Sequence, residues 1–265
     1  MNYIRDNKPI GENFISFISS DQLAVTGNDT ANAVIVQIGN RIDGITNLVY
    51  EYTNLSDPTL DTDDEIINWT FPDVNYDLIS AAWNLYSCLF KTCASNLRNA
   101  FEMSFLSLYF QSRQNIDKLN GVPGYNKYFS EWDRGERPTP NWGEMKSIVK
   151  QNVNILAYNS TKHCDIIDEV YSWYGYLCNF THGKPFENSI SNAASKPTNH
   201  MNIGTGFDID NFKRFSKYLE DTISWIATFW SLSFPEILKS SQSKYNSLFK
   251  GQRGVDVLNY VTSEI

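Results

Sequence analysis

Residues 75–120 read NYDLISAAWNLYSCLFKTCASNLRNAFEMSFLSLYFQSRQNIDKLN, without a Pro or a Gly. Within them Ile79, Trp83, Tyr86, Phe90, Cys93, Leu97, Phe101, Phe105 and Leu108 recur at steps of three and four. That spacing lines one face of an α-helix. The stretch therefore predicts one very long helix, or two with a break near Ser95–Asn96. Either form must bury its stripe against other helices, and the flanking sequence supplies them.

Upstream, Asp29-Thr30 precedes Val34, Ile35, Ile38, Ile42, Ile45, Leu48 and Val49, a second amphipathic pattern. Gly39 and Gly44 weaken it by about 1 kcal/mol each relative to Ala. Residues 54–75 are acidic and cut by Pro58 and Pro72. The cluster Asp61, Asp63, Asp64 and Glu65 lacks the glycine and ligand spacing of a calcium loop, so it reads as a solvated linker. Downstream, residues 119–142 are rich in turn formers, and a helix pattern follows at 143–157. Residues 160–182 form the helix around which the chemistry is organised, with Ser160 or Thr161 as N-cap and Gly183 and Pro185 as stop signals. Residues 183–206 hold hardly an apolar side chain, and a loop of that length is either functional or disordered. Asp208-Ile-Asp210 opens a last long helix bearing Phe212, Phe215, Leu219, Ile223, Ile226, Phe229 and Trp230, ended by Pro235. A short tail helix is expected near 254–262.

No alternating run faces another across a hairpin turn. The expectation is an all-α helical bundle of four to five core helices, built on 75–118, 143–157, 160–182 and 208–232, with an N-terminal helical extension. Residues 1–70 are the extension and acidic linker, and 71–265 the bundle. Trp83, Phe101, Trp173 or Tyr174, Ile226 and Trp230 are expected in its core.

Hydrophobic residues make up 42% of the chain and aromatic ones 14%, enough for a substantial core. A net charge of −8 argues against broad DNA binding or an anionic membrane surface, though it leaves room for a small basic site. No apolar run nears the roughly 20 residues of a membrane span. The first residues, Met-Asn-Tyr-Ile-Arg-Asp-Asn-Lys-Pro, carry no apolar signal core, so the expected location is the cytoplasm. Cys88, Cys93, Cys164 and Cys178 lie in apolar stretches without a Cys-x-x-Cys pattern and read as buried free thiols.

Only three histidines are present. His200 falls in the polar loop, while His163 and His182 stand at opposite ends of the 160–182 helix and cannot share a metal. Cys178 and His182 have zinc-ligand spacing, but no second Cys/His pair accompanies them, so neither metal nor cofactor is expected. Gly-x-Ser-x-Gly and Walker-type loops are missing too. Arg98 and Glu102, four apart amid apolar residues, remain with Arg134, Arg137, His182 and Lys184. They amount to a histidine near neutral pKa, cations for a phosphate and a carboxylate to orient one of them. The same residues also read as a buried structural pair and a histidine at a helix end. Tyr174, Cys178 and His182 share one helix face.

The segments Leu97-Arg98-Asn-Ala-Phe-Glu102, Arg137-Pro138 and Tyr174-Gly-Tyr-Leu-Cys-Asn-Phe-Thr-His182-Gly183 together resemble bacterial all-helical proteins related to the HEPN superfamily (higher eukaryotes and prokaryotes nucleotide-binding). The resemblance covers roughly residues 75–185. It implies a helical bundle, often dimeric, and a metal-independent ribonuclease or RNA-binding effector of a defence or toxin system. The family motif is an Arg followed shortly by His on one helix. His182 matches that histidine, whereas 172–181 contains no Arg, so Arg98 would take the arginine's place only in space. The resemblance thus implies His182, Arg98 and Glu102 as catalytic, with Asn179, Lys184 and Tyr174 in support. The competing expectation is a non-catalytic helical module that binds a protein partner or a second copy through Trp132, Arg134 and Arg137. Tyr125, Tyr128 and Trp142 belong to that same loop, where the core cannot easily claim every ring.

Overall fold

The computed structural model describes residues 19–55, 66–124, 127–181, 207–235, 238 and 245–264. Among the described residues every regular element is helical and none is a strand. Residues 19–26 form α1. It is followed by α2 (Asp29–Leu55), α3 (Ile66–Tyr86), α4 (Phe90–Leu119), α5 (Lys127–Asp133) and α6 (Trp142–Val149). Then come α7 (Val153–Lys162), α8 (Ile166–Thr181), α9 (Ile209–Ser233) and α10 (Gly251–Glu264), with a 3₁₀ turn at Asn246–Leu248. No described helix is long and apolar enough to cross a membrane.

The long pattern is two helices, and their break lies at Ser87–Leu89 rather than Ser95–Asn96. Cys88 takes φ 54°, in the left-handed region. Its N–H bonds to the Leu85 carbonyl at 3.0 Å, and the Leu89 N–H to that of Asn84 at 2.7 Å. These two bonds close a helix in the Schellman manner, a task usually given to Gly. A cysteine there left no sign in the sequence. The start of α3 was hidden for a different reason. Its first residue, Ile66, donates its N–H to Gln111 Oε1 on α4 at 3.2 Å, so the cap comes from 45 residues away. Pro72 lies inside the helix it was expected to precede.

The 160–182 helix is also divided. Ser160 and Thr161 belong to α7, which ends on His163 at φ 50°. Asp165 then caps α8, accepting the Asp168 N–H at 3.3 Å. The pattern at 143–157 breaks likewise at Asn152, whose side chain accepts from the N–H groups of Asn154 and Ile155. Within the 119–142 loop there is a further short helix, α5.

α9 is the element most fully enclosed. Its seven apolar residues from Phe212 to Trp230 named above are all buried, as the spacing predicts. Asp208 is its N-cap, accepting from the Asp210 and Asn211 N–H groups at 2.8 and 3.0 Å. Burial on the remaining face falls to small hydroxyls: Ser216, Thr222 and Ser233 each bond back to the carbonyl four residues earlier. α2, α3, α4, α7 and α10 all pack against α9. The stretch set apart as an N-terminal extension joins the same core through Val25, Ile38, Ile42, Ile45 and Leu48. Arg41, buried on α2, donates to the backbone carbonyls of Glu220 and Ser247.

Phe101, Ile226 and Trp230 are fully buried and Tyr174 nearly so, but Trp83 is 62% exposed. α3 is apolar on two sides. Its inner row is Val74, Leu78, Ala81 and Leu85, and Trp83 belongs to the outer one. Burial pushes the thiols of Cys88 and Cys93 up to about 12, so both are neutral near pH 7. Cys164 and Cys178 are half-buried, and none of the four forms a disulfide.

Between α3 and α4, Asn84 donates to Asn96, which donates in turn to Asp77 Oδ1 at 3.0 Å. Burial raises the Asp77 carboxyl pKa, the Asn96 bond opposes this, and Asp73 reinforces it. A carboxyl whose folded pKa lies above its unfolded one destabilises the fold while ionised. That cost is present in full above the folded pKa and fades as pH falls through it. Asp77→Asn is therefore expected to stabilise the protein at neutral pH, by about 0.5 kcal/mol after solvent screening. Urea midpoints should show the gain shrinking towards pH 4, and an equal gain at both pH values would refute the account.

Candidate functional site

Arg98, Glu102, Phe105, Tyr109 and Arg113 follow one another on α4 at steps of three and four and so share one face. Phe105 and Tyr109 are buried, while the side chains of Arg98 and Glu102 stay 24% and 29% exposed. α8 closes over the upper part of this row. Arg98 Nη2 lies 3.1 Å from Glu102 Oε2 and donates to Tyr174 Oη at 3.0 Å. Tyr174 Oη donates to Glu102 Oε2 at 3.3 Å, which completes a triangle of guanidinium, phenol and carboxylate. The sequence placed these three residues in one site, and the fold brings them together.

An aromatic stack holds the phenol in position. The Trp142 ring lies 4.2 Å from that of Tyr174 and 4.7 Å from Phe105, nearly parallel to the latter at 19°. Burial raises the Tyr174 pKa against the pull of Arg98, so the hydroxyl keeps its proton and remains a donor. For Arg98, burial opposes the charge, yet the Tyr174 bond and the Glu102 carboxylate outweigh it and raise the pKa. Cys178, one turn beyond Tyr174, acts on the same guanidinium. Arg98 Nε and Trp142 Nε1 are buried in this seam and miss strict hydrogen-bond geometry, yet Cys178 lies near enough to act on Arg98, and Trp142 on the Tyr174 hydroxyl. Arg98, a quarter exposed, offers a cation at this seam, with the Glu102 carboxylate already offsetting part of its charge. Asn179 is half-buried near the end of α8. His182 and Lys184 lie outside the described residues, as does His200.

The loop residues nominated for interaction have partners within the chain. Arg137 donates twice to Glu131, at 2.7 and 3.1 Å, and Arg134 twice to Glu136, at 2.8 and 2.9 Å. The Arg137 bonds hold the Glu131 carboxyl below its ordinary range. Trp132 is half-buried against Phe110, 5.2 Å between ring centroids, and its indole N–H reaches Thr139. Tyr128 sits between the guanidiniums of Arg113 and Arg137, at 4.1 and 4.0 Å. The core claims more of these rings than their Pro/Gly-rich setting implies, because α5 turns them inward. Tyr125 lies outside the described residues.

Sequence reasoning passed over Glu144, which accepts the Tyr109 hydroxyl at 2.7 Å, and the role of Trp142 as a platform. Neither could be found by spacing, since both contacts join elements that are separate in the chain. Among the described residues no group of three or more His, Cys, Asp or Glu is placed to hold a metal ion. No family model matches the chain, no curated protein matches its sequence, and no solved structure matches its fold.

Proposed function

We propose that the chain is an HEPN-like effector that engages RNA at the Arg98 site and cleaves it without a metal. The observation that carries this reading is the Arg98 guanidinium, held in place by Glu102 and Tyr174 while its side chain stays a quarter exposed. His182 follows directly on Thr181, the last residue of α8, the helix that supplies Tyr174. In the proposed reaction a ribose 2′-oxygen attacks the adjacent phosphorus while the P–O5′ bond breaks. His182 takes the 2′-hydroxyl proton and returns it to O5′, which leaves a cyclic phosphate and a 5′-hydroxyl. Arg98 stabilises charge on the phosphoryl oxygens, and Glu102 orients Arg98. Lys184 and Asn179 are supporting candidates. The test is incubation of the purified chain with total RNA in EDTA, beside Arg98→Ala and His182→Ala. Cleavage lost in both supports the reading, and cleavage untouched by both rejects these residues.

A second reading is a non-catalytic helical interaction module in the cytoplasm. It draws support from large apolar residues exposed on α3, a different surface from the loop around Trp132.

A further inference from the structure

We infer that the outward face of α3, with the groove between α2 and α3, binds an amphipathic helix whose apolar stripe is flanked by Lys or Arg. The inference deepens the second reading and rests on it, and it is independent of Arg98. Trp69, Tyr76, Ile79 and Trp83 are exposed by 62, 70, 52 and 62%. Their spacing of seven, three and four residues is that of a seam packing against another helix. At a rise of roughly 1.5 Å per residue the row is about 20 Å long, which matches close to four turns of a partner. α2 widens the face: Ile79 and Trp83 line a groove of about 430 Å³ together with Ile35, Gly39, Ile42 and Asp43. Nothing lies within 4 Å of where a Gly39 Cβ would stand, so the glycine leaves that groove open. Four such side chains, half or more exposed, offer roughly 400–600 Å² of apolar surface. That is as large as the largest patch on a typical monomer, and such patches mark binding surfaces.

Charge selects the occupant. Asp43 opens on the groove and Asp73 is exposed on α3, while Asp77, one turn on, is turned toward Asn96 of α4. α3 contains no Lys or Arg, and α2 contains only Arg41, which is buried and committed to two backbone carbonyls. None of the three carboxylates takes part in an ion pair among the described residues. A second copy would bring the same acids to the face and no exposed cation from α2 or α3. A helix with basic flanks meets both the apolar row and its acidic border.

The probe is a synthetic helix-forming Leu/Lys peptide of about 18 residues, with a Leu/Glu peptide of the same pattern as control. Each is titrated into the full chain and followed by calorimetry. The Leu/Lys peptide should bind at least tenfold more tightly than the Leu/Glu one. Trp83→Glu and Gly39→Leu should each weaken it at least tenfold with the circular dichroism spectrum unchanged, and Arg98→Ala should leave it unaffected. Both positions face outward, so either variant alone suffices if the other misfolds. Equal affinity across these variants, or no binding to the full chain, overturns the inference. A doubling of mass by light scattering that Trp83→Glu abolishes assigns the face to a second copy. That result overturns the basic helix and leaves the module reading standing. Binding to phosphatidylcholine vesicles that Trp83→Glu abolishes overturns both, as does a monomer that binds none of these probes.

Discussion

Trp230→Ala is expected to cost about 3–5 kcal/mol, the largest stability loss from any single truncation in this chain. Trp230 is fully buried on α9, where Phe71 of α3 meets its ring edge-on at 5.7 Å. Its indole N–H donates to the Ser104 carbonyl of α4 at 3.2 Å, so one side chain joins three helices. Truncation removes the buried ring and leaves a void that rigid neighbours cannot fill. The same change frees a buried carbonyl from its indole donor, which adds to the loss. With total stabilities of about 5–15 kcal/mol, the variant should forfeit roughly a fifth or more of the whole. Urea unfolding should show a large drop in midpoint with little change in slope. Trp230→Phe keeps most of the ring and should cost less than half as much. A Trp230→Ala loss under about 1 kcal/mol would mean that the site collapses freely and is not a rigid junction.

Arg98→Ala is expected to lower RNA cleavage in EDTA by about 10²–10³-fold, the usual loss when a fixed donor to transition-state charge is removed. The effect on folding should be small, because the side chain is a quarter exposed and an i,i+4 ion pair contributes only about 0.5 kcal/mol. That separation is what distinguishes a working arginine from a structural one. Arg98→Lys keeps the charge but loses the planar fork that reaches both Glu102 and Tyr174, so an intermediate loss of about tenfold is expected. Rates from single-turnover assays and urea midpoints on the same preparations provide the comparison. If Arg98→Ala instead cost several kcal/mol in stability and left cleavage alone, the triangle with Glu102 and Tyr174 would be a structural cluster.

Helices were legible wherever their apolar residues formed a single stripe with local caps. α9 shows this best, with Asp208 capping it and Phe234-Pro235 ending it where expected. Breaks made by unusual residues were not legible. Cys88 and His163 adopt left-handed conformations that sequence rules reserve for Gly or Asn. The start of α3 was invisible since its cap, Gln111, is supplied by another helix. Two apolar rows on α3 defeated the assignment of Trp83, as periodicity cannot say which of two stripes faces inward. Arg98 and Glu102 were found by their spacing, and Tyr174 by its place on one helix face with Cys178 and His182 together with a resemblance. The stack of Phe105, Trp142 and Tyr174 depends on α4, α6 and α8 meeting, and no local pattern encodes that.

Arg41 gives the molecule a timetable. Its guanidinium is buried, and its acceptors are carbonyls 179 and 206 residues further along. At a synthesis rate of roughly 5–20 residues per second, Arg41 is made some 10–40 s before Ser247. Burying a cation without its partners is costly, so α2 is expected to stay undocked and wet throughout that interval. Protease should therefore cut α2 in ribosome-bound chains arrested before residue 247 and spare it once that residue has emerged. Equal protection at both lengths would show that the helix settles without its late acceptors. The earliest long helix described here is thus among the last to be sealed, and it waits on Ser247 for that.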